Sequence, residues 1–263
     1  MQKLRSLSIN SFTLKIIAII GMTADHIGNA FMYQLPFVAR CLLFLPGGLT
    51  FPIMAFLLTV GYQHTRDVGK YALRLAIFAA ISVFPFFWVL SNEFRLNVLF
   101  TLLLGLLVIW ADDRLKNRIL FWGIVVLAIV ASHWCDWSYI GVPMILLYHR
   151  LRNRGMRAFL PIVLVWIYAL SNVVQILGMQ MDPSISSVVV SRVWSFYTPQ
   201  LFYSFIGATA TIFLVYFYNG ERGRPLKYFF YAYYPLHITL IGVVFGLVTS
   251  NWIPGWLPWI TGG

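Results

Sequence analysis

Residues 14–28 have the sequence LKIIAIIGMTADHIG, an apolar run that carries Lys15, Asp25 and His26. The run belongs to a longer apolar segment, and a transmembrane helix needs about 17–25 mostly apolar residues. Ionisable side chains inside such a helix are costly unless they are partnered or hydrated. We therefore predict that the function of the protein depends on these buried polar groups, led by Asp25 and His26.

The rest of the chain has the same apolar character. Of its 263 residues, 60% are apolar and 10% are charged, whereas soluble domains average about 25% charged residues. No long polar stretch interrupts the apolar segments, which predicts a single all-α transmembrane bundle over 1–263. An extended non-helical piece is expected only at about 180–200. We predict nine spans, at about 12–33, 48–64, 71–91, 97–111, 118–133, 137–149, 158–179, 201–218 and 228–248.

Lysine and arginine alternate from loop to loop. Fifteen of the nineteen, beginning with Lys3 and Arg5, lie before span one or in every second loop, and only Arg40, Arg95 and Arg192 lie in the other loops. Basic residues accumulate on the cytoplasmic side, so the N-terminus is expected inside and the C-terminus outside a bacterial inner membrane. The same rule accounts for the net charge of +11, and we expect no nucleic-acid partner. The N-terminal sequence has no small-residue cleavage site, so span one is expected to be retained.

Spans five and six are short, and the outer turn between them, HWCDW at 133–137, is polar and aromatic. This turn either belongs to an interfacial aromatic belt, or the short helices end below the membrane surface and His133 and Asp136 line a cavity. Cys41 and Cys135 both fall on the outer side. They are either buried free thiols or, in an oxidising compartment, a disulfide.

Helical phase separates the polar residues of span one. An α-helix turns by about 100° per residue, so Lys15 and His26 share a face and lie about 16 Å apart along the axis. Asp25 points about 100° away from His26, towards another helix or the outer side. This arrangement suits an elongated anionic donor with its phosphates at Lys15 and its reactive end at His26. The structural alternatives are snorkelling of Lys15 to the interface and a hydrogen-bonding role for His26.

A second polar cluster lies where span two ends and span three begins. His64 and Arg66 follow span two, and Tyr71 and Arg74 share one face of span three by their three-residue spacing. Such side chains would bind phosphate groups. The alternative is that the cations only satisfy the positive-inside rule.

Spans four and nine carry the remaining candidates. Asn97 begins a small or polar stripe on span four, which would either pack helices together or offer Asn97 as a hydrogen-bond donor. His237 follows Pro235, a residue that bends helices and is tolerated where a helix lines a cavity. His237 would be a catalytic or a structural hydrogen-bonding residue. We find no GxSxG, HExxH, P-loop or zinc-type Cys/His spacing, so serine hydrolysis, zinc proteolysis and nucleotide hydrolysis lack support, and no metal is expected.

Several motifs resemble the TraX family, named for the protein that N-acetylates conjugative pilin. They are LKIIAIIGMTADHIG at 14–28, FPIMAFL at 51–57, GYQHTR at 61–66, KYALRL at 70–75, PF at 85–86, NVLFT at 97–101 and YPLH at 234–237. The spacing of Lys15 and His26 is also similar to the Arg/Lys-x10-His signature of integral-membrane type-3 acyltransferases. One departure is Gly47-Gly48, because the resemblance implies Gly-Arg at this point, with an arginine that contacts substrate or donor.

The resemblance implies a membrane acetyltransferase that uses cytoplasmic acetyl-CoA. His26 would act as general base, since an imidazole titrates near neutrality, with an acetyl-His intermediate or direct transfer both open. Asp25 would orient a neighbouring histidine such as His237, and Asn97 would donate to the thioester oxygen.

The phosphates of acetyl-CoA would be bound by the cationic residues of the inner half, with their polar neighbours. These residues are Lys15, His64, Arg66, Tyr71 and Arg74. The acceptor would be an amine or a hydroxyl, such as a pilin N-terminus or a glycan. Two other classes stay open: a proton-coupled transporter or exporter in which Asp25 and His26 relay protons, and a non-catalytic pilus assembly factor.

Overall fold

The computed structural model describes residues 8–90, 95–225, 227–250 and 252, and every regular element within them is a helix. Lys3, Arg5 and residue 91 of predicted span three lie outside the described residues. Two short turns, the 3-10 turn Ser132–Trp134 and the π turn Tyr203–Gly207, join longer helices. The α-helices are α1 (Ser11–Ala30), α2 (Phe37–Gly47), α3 (Thr50–Gln63), α4 (Val68–Ile81), α5 (Val83–Val89), α6 (Val98–Arg114), α7 (Arg118–Ala131), α8 (Ser138–Arg150), α9 (Arg154–Met181), α10 (Ser187–Phe202), α11 (Ala208–Tyr216) and α12 (Lys227–Thr249).

Each of the nine predicted spans coincides with a helix or a joined pair of helices, so the all-α class is confirmed. Span three corresponds to α4 and α5, which are bent by 41° relative to each other. Span eight corresponds to the π turn together with α11. Four helical stretches are long and apolar enough to cross a membrane, Phe37–Gln63, Arg154–Met181, Ser187–Tyr216 and Tyr228–Thr249, and a fifth is added if α4 and α5 count as one.

Two segments that we assigned to loops are helical. The prediction of a non-helical piece at 180–200 is wrong, because α10 begins after Ser186, whose side chain caps the amide of Val188. The valines and Pro199 of α10 have low intrinsic helix propensity, but α10 packs against α2 and α9, and this tertiary packing overrides propensity. Likewise α2 occupies 37–47, which lie before predicted span two and continue into α3.

The connections between helices gather at two ends of the bundle. At the end that we call the basic end, four hydrogen bonds link the connections that carry most of the lysines and arginines. They join Ile9 to Phe217, Tyr62 to Asp113, Arg150 to Asp112 and Arg154 to Tyr218. At the opposite end, Leu96 exchanges backbone hydrogen bonds of 2.7 and 2.8 Å with Trp134 and Asp136. The predicted alternation of basic loops is therefore reproduced by their positions in the fold.

The helices differ in length, and the difference creates a depression opposite the basic end. An α-helix rises 1.5 Å per residue, so the 27 residues of Phe37–Gln63 span about 40 Å and the 13 residues of α8 about 20 Å. The ends of α3, α6 and α8 are level at the basic end, since the hydrogen bonds described above join them. The stretch Phe37–Gln63 therefore extends past the start of α8 at the other end, which we call the cavity end.

Among the described residues, α1 is the first helix and α12 the last, and the two lie side by side and run in the same direction. Their side-chain contacts advance together along both helices, from Lys15 with Phe230, through Thr23 with Tyr233 and His26 with His237, to Phe31 with Phe245. If two membrane-spanning helices run in the same direction, the chain must cross the membrane an odd number of times between them. The predicted order of nine spans places seven crossings between span one and span nine. This pairing brings the two histidines predicted to be functional into contact.

Candidate functional site

The centre of the site is a pair of histidines contributed by α1 and α12. Nδ1 of His26 lies 2.7 Å from Nε2 of His237, with the two rings nearly parallel at 11°. Nδ1 of His237 lies 2.8 Å from the backbone carbonyl oxygen of Tyr233, one turn earlier in α12. Only 8% of His26 and 5% of His237 is exposed, so both imidazoles are polar groups with protein partners in an almost dry environment.

Tyrosines of α12 surround this histidine pair. The ring of Tyr233 stacks on His237 at 4.9 Å between centroids, and Tyr234 meets both histidines edge-on. Thr23 donates to the Ile19 carbonyl at 2.8 Å, so its hydroxyl oxygen is free to accept from Tyr233 at 2.7 Å. These contacts hold α1 and α12 in register, so that the histidine rings face each other.

Asp25 lies on a different side of α1 from His26, as helical phase predicted. It faces α2, where a β-carbon placed on Gly47 would lie 2.6 Å from the Asp25 β-carbon. It also interacts electrostatically with Asp136 and with Tyr203. The structure does not place Asp25 as the partner that orients His237, because the two ring nitrogens of His237 contact His26 and the Tyr233 carbonyl. That part of the prediction is wrong in its geometry.

A cavity of about 230 Å³ opens at the cavity end, next to Asp25. Its walls come from α1, α2, α8, α9, α10, the π turn and the turn that precedes α8. Its polar lining includes Asn29, Arg95, Asp136, Asn172 and Tyr203. Asp136 lines this cavity, so the cavity interpretation is confirmed for Asp136. It is wrong for His133, which is exposed and stacks on Tyr139 instead.

The turn that carries Asp136 is held tightly. Trp137 has a left-handed φ of 65°, a conformation that costs about 1–3 kcal/mol in a non-glycine residue and is found preferentially at functional sites. Its ring stacks on Phe51 at 4.4 Å, and Thr101 donates a short hydrogen bond to the Asp136 carbonyl. Its partly buried position raises the pKa of the Asp136 carboxyl to about 6.

Asn97 is fully buried and both ends of its side-chain amide are engaged. Its oxygen accepts from the Leu99 amide at 3.1 Å, which caps α6, and its nitrogen donates to the Ala79 carbonyl of α4 at 2.8 Å. In this conformation Asn97 joins α6 to α4. Its role as a donor to a thioester oxygen stays a prediction.

The predicted cofactor residues divide into two groups. Lys15 and Arg74 come from different helices but meet neighbouring residues of α12: the Lys15 ammonium lies 4.9 Å from the ring centre of Phe230, and Arg74 interacts with the Tyr231 hydroxyl. Tyr71 lies beside Arg74 on α4. The remaining two, His64 and Arg66, are exposed in the connection between α3 and α4 at the basic end.

Two residues of the site were not predicted from sequence. Tyr203 is one of fourteen tyrosines, and nothing in its local sequence marks it as the one that interacts with both Asp25 and Asp136. Tyr231 meets the Arg74 side chain only because α4 and α12 pack together, a contact that no local pattern encodes. The two cysteines, which we left open, are free thiols, with Cys135 buried and Cys41 partly buried.

The fold and the site together define a class: a helical protein, with apolar helices long enough to cross a membrane, built around a buried histidine pair. Comparison with known families then identifies the particular family. The family model described as TraX protein matches residues 11–245, and the chain belongs to the TraX family. The resemblance inferred from the motifs is confirmed.

A curated relative from Dichelobacter nodosus is 30% identical over 254 residues, covering 90% of this chain and 96% of the relative. It is named probable fimbrial assembly protein FimC, serogroup H1. No solved structure matches the chain.

The structure gives a physical reason for the departure from Gly-Arg at Gly47-Gly48. A β-carbon on Gly48 would overlap the Tyr203 carbonyl oxygen and lie 2.7 Å from the Ala208 amide nitrogen. A β-carbon on Gly207 would likewise lie 3.0 Å from the α-carbon of Gly48. Backbones therefore touch here, and a long side chain at position 48 has no space in this arrangement.

Proposed function

We propose that this protein is an integral-membrane acetyltransferase that takes the acetyl group from cytoplasmic acetyl-CoA and transfers it to an amine or hydroxyl on the other side. The observation that carries the proposal is the buried contact between His26 and His237, placed between a cationic inner half and a polar outer cavity. A buried imidazole is expensive without a function or a partner, and the lone pair of a neutral imidazole can accept a proton from an acceptor group. The TraX family membership supports this choice of chemistry through the resemblance described above.

The proposed topology is nine crossings of a bacterial inner membrane, with the N-terminus inside. The gathering of the basic connections at one end supports it, because lysine and arginine accumulate on the cytoplasmic side. The parallel course of α1 and α12 also supports it. Acetyl-CoA would then approach from the basic end, and the cavity end would face outward.

The donor would lie along the α1 and α12 pair. Lys15 and Arg74 meet α12 one residue apart, on the side of His237 that faces the basic end, so phosphates held there would direct the thioester towards His26. Tyr71 would complete this inner site, while His64 and Arg66 at the surface would attract the anionic donor. Charge-assisted hydrogen bonds from these groups match the chemistry of phosphates.

The acceptor would enter through the outer cavity. Asp136 in its lining, with Asp25 beside it, suits an ammonium group or a polarised hydroxyl. The cavity opens on the side opposite the donor. The relative named as a fimbrial assembly protein supports a pilus-related role, so a pilin N-terminus is the first acceptor to test, followed by a glycan.

The test is incubation of the detergent-purified protein with radiolabelled acetyl-CoA and candidate acceptors. We expect thiol release and labelled product from the wild type, and loss of both in His26→Ala. The control is His133→Ala, which changes an exposed histidine outside the site. Transfer that survives in His26→Ala would refute the catalytic assignment, and absence of transfer and of acetyl-CoA binding in the wild type would refute the function.

A second candidate function is a non-catalytic pilus assembly factor, which the printed name of the relative favours. On this alternative, surface contacts with a pilus component would matter, and the histidine pair would only join α1 to α12. It predicts that pilus assembly tolerates His26→Gln whenever the protein still folds. The acetyltransferase proposal predicts loss of acetylated product in the same variant.

A further inference from the structure

The hydrogen bonds around the histidine pair determine which nitrogen of His26 carries a proton. We infer that His237 is a positioning residue that fixes the tautomer of His26, leaving its Nε2 as the nitrogen with the reactive lone pair. The inference rests on the proposed function for its chemical consequence, but the tautomer itself follows from geometry alone.

The assignment begins at the Tyr233 carbonyl. A carbonyl oxygen can only accept a hydrogen bond, so Nδ1 of His237, at 2.8 Å from it, must carry a proton. A neutral imidazole has one protonated nitrogen and one lone pair. Nε2 of His237 is therefore the acceptor in the pair.

The protonation of His237 then determines the protonation of His26. Its Nδ1 lies 2.7 Å from the Nε2 lone pair of His237, and two lone pairs at this distance would repel, so Nδ1 of His26 must donate. The proton of neutral His26 is then on Nδ1, and Nε2 is unprotonated. Burial of both rings supports the neutral forms, because an isolated charge is costly in such surroundings.

This tautomer prepares His26 for either route of transfer. In direct transfer, Nε2 takes a proton from the acceptor as the acceptor atom bonds to the acetyl carbon and the carbon–sulfur bond breaks. The departing thiolate of coenzyme A then receives that proton, so the exchange is balanced. Through an acetyl-His intermediate, Nε2 bonds to the acetyl carbon and the thiolate leaves. In that route the Nδ1 proton passes to His237, and it returns when the acceptor displaces the imidazole and gives its own proton to the thiolate.

His237 acts in both routes without touching donor or acceptor. When His26 gains positive charge, Nε2 of His237 accepts a stronger hydrogen bond or the proton itself. The Tyr233 carbonyl keeps Nδ1 of His237 satisfied throughout. The relay therefore ends at a backbone group that cannot be titrated, which holds the proton within the pair.

The first experiment reads the tautomer directly. Nitrogen-15 NMR of the full-length protein in detergent, with labelled histidine and assignment by the His26→Gln variant, should show a protonated Nδ1 and a bare Nε2 on His26. A bare Nδ1 would overturn the inference, whether or not the protein transfers acetyl groups. Failure of the proposed function is a separate result, since it would appear as no transfer despite the expected tautomer.

The second experiment compares two substitutions of the positioning residue. His237→Gln keeps an acceptor oxygen for Nδ1 of His26, whereas His237→Leu removes it. We expect His237→Leu to lower kcat by about 10- to 100-fold, the size of a lost buried hydrogen bond, with little change in the KM for acetyl-CoA. His237→Gln should recover most of kcat and keep the His26 tautomer. An equal loss of kcat in His237→Leu and His237→Gln, with the His26 tautomer unchanged in both variants, would overturn the positioning role of His237.

Discussion

Replacing Gly48 by alanine should destabilise the protein, because the residue lies where two backbones touch. The added β-carbon would overlap the Tyr203 carbonyl oxygen and lie 2.7 Å from the Ala208 amide nitrogen. Restoring an ordinary contact of 3.4 Å to that nitrogen requires a shift of about 0.7 Å (3.4 − 2.7), and neither partner is a flexible side chain. Overpacking of this kind costs about 1–3 kcal/mol, which corresponds to a Tm lower by about 2–12 °C.

The assay is thermal unfolding of the detergent-purified protein, followed by tryptophan fluorescence. The matched control is Gly178→Ala in α9, where an added β-carbon meets no atom within 4 Å. Alanine in a helix is favoured over glycine by about 0.5–1 kcal/mol, so the control should unfold at the same or a slightly higher temperature. An unchanged Tm in Gly48→Ala, or an equal fall in both variants, would refute the close packing of the connection between α2 and α3 on the π turn.

Three further substitutions test the parts of the site. Asp136 loses its negative charge as the pH falls through its pKa of about 6, so the KM for an amine acceptor should rise between pH 7 and pH 5. The Asp136→Asn variant is neutral at every pH, so its KM should be high throughout and should not change with pH. A parallel rise of KM in both proteins would contradict the role of Asp136. Arg74→Met should raise the KM for acetyl-CoA by about 10-fold, the cost of one charge-assisted hydrogen bond. In the control Lys70→Met, which changes an exposed lysine, this KM should stay within about twofold of the wild-type value. Equal KM values for the two variants in steady-state kinetics would reject the inner phosphate site. Gly47→Ala should displace the Asp25 carboxylate and lower kcat, which the same kinetics measure, whereas an unaltered rate would show that Asp25 tolerates movement.

Hydropathy predicted where most helices lie, because membrane-type helices need long apolar runs. Hydropathy underestimated how far some of these helices extend. For α9, predicted at 158–179, the helix begins at Arg154 because the Asn153 side chain caps it, and the polar first turn does not register as apolar. Helix α10 escaped prediction for a different reason, since its stability depends on contacts with helices distant in sequence.

The candidate site was predictable only as far as helical geometry reaches. A fixed turn per residue separates Asp25 from His26 within one helix, and the structure agrees. The partner of His26 belongs to another helix, and local sequence contains no information on which of the helices packs against α1. The same limit explains the wrong partner assigned to His237: its own backbone, at Tyr233, was nearer than any carboxylate.

The two histidines are 211 residues apart in the chain, which has a consequence for biosynthesis. At a translation rate of about 5–20 residues per second, His26 emerges roughly 10–40 s before His237 is made. During this interval α1 has the His26 imidazole but not the helix that shields it, so ribosome-bound chains lack the assembled pair. The histidine pair forms only when α12 inserts beside α1, and a nascent chain that stops short of α12 would lack the contact between His26 and His237.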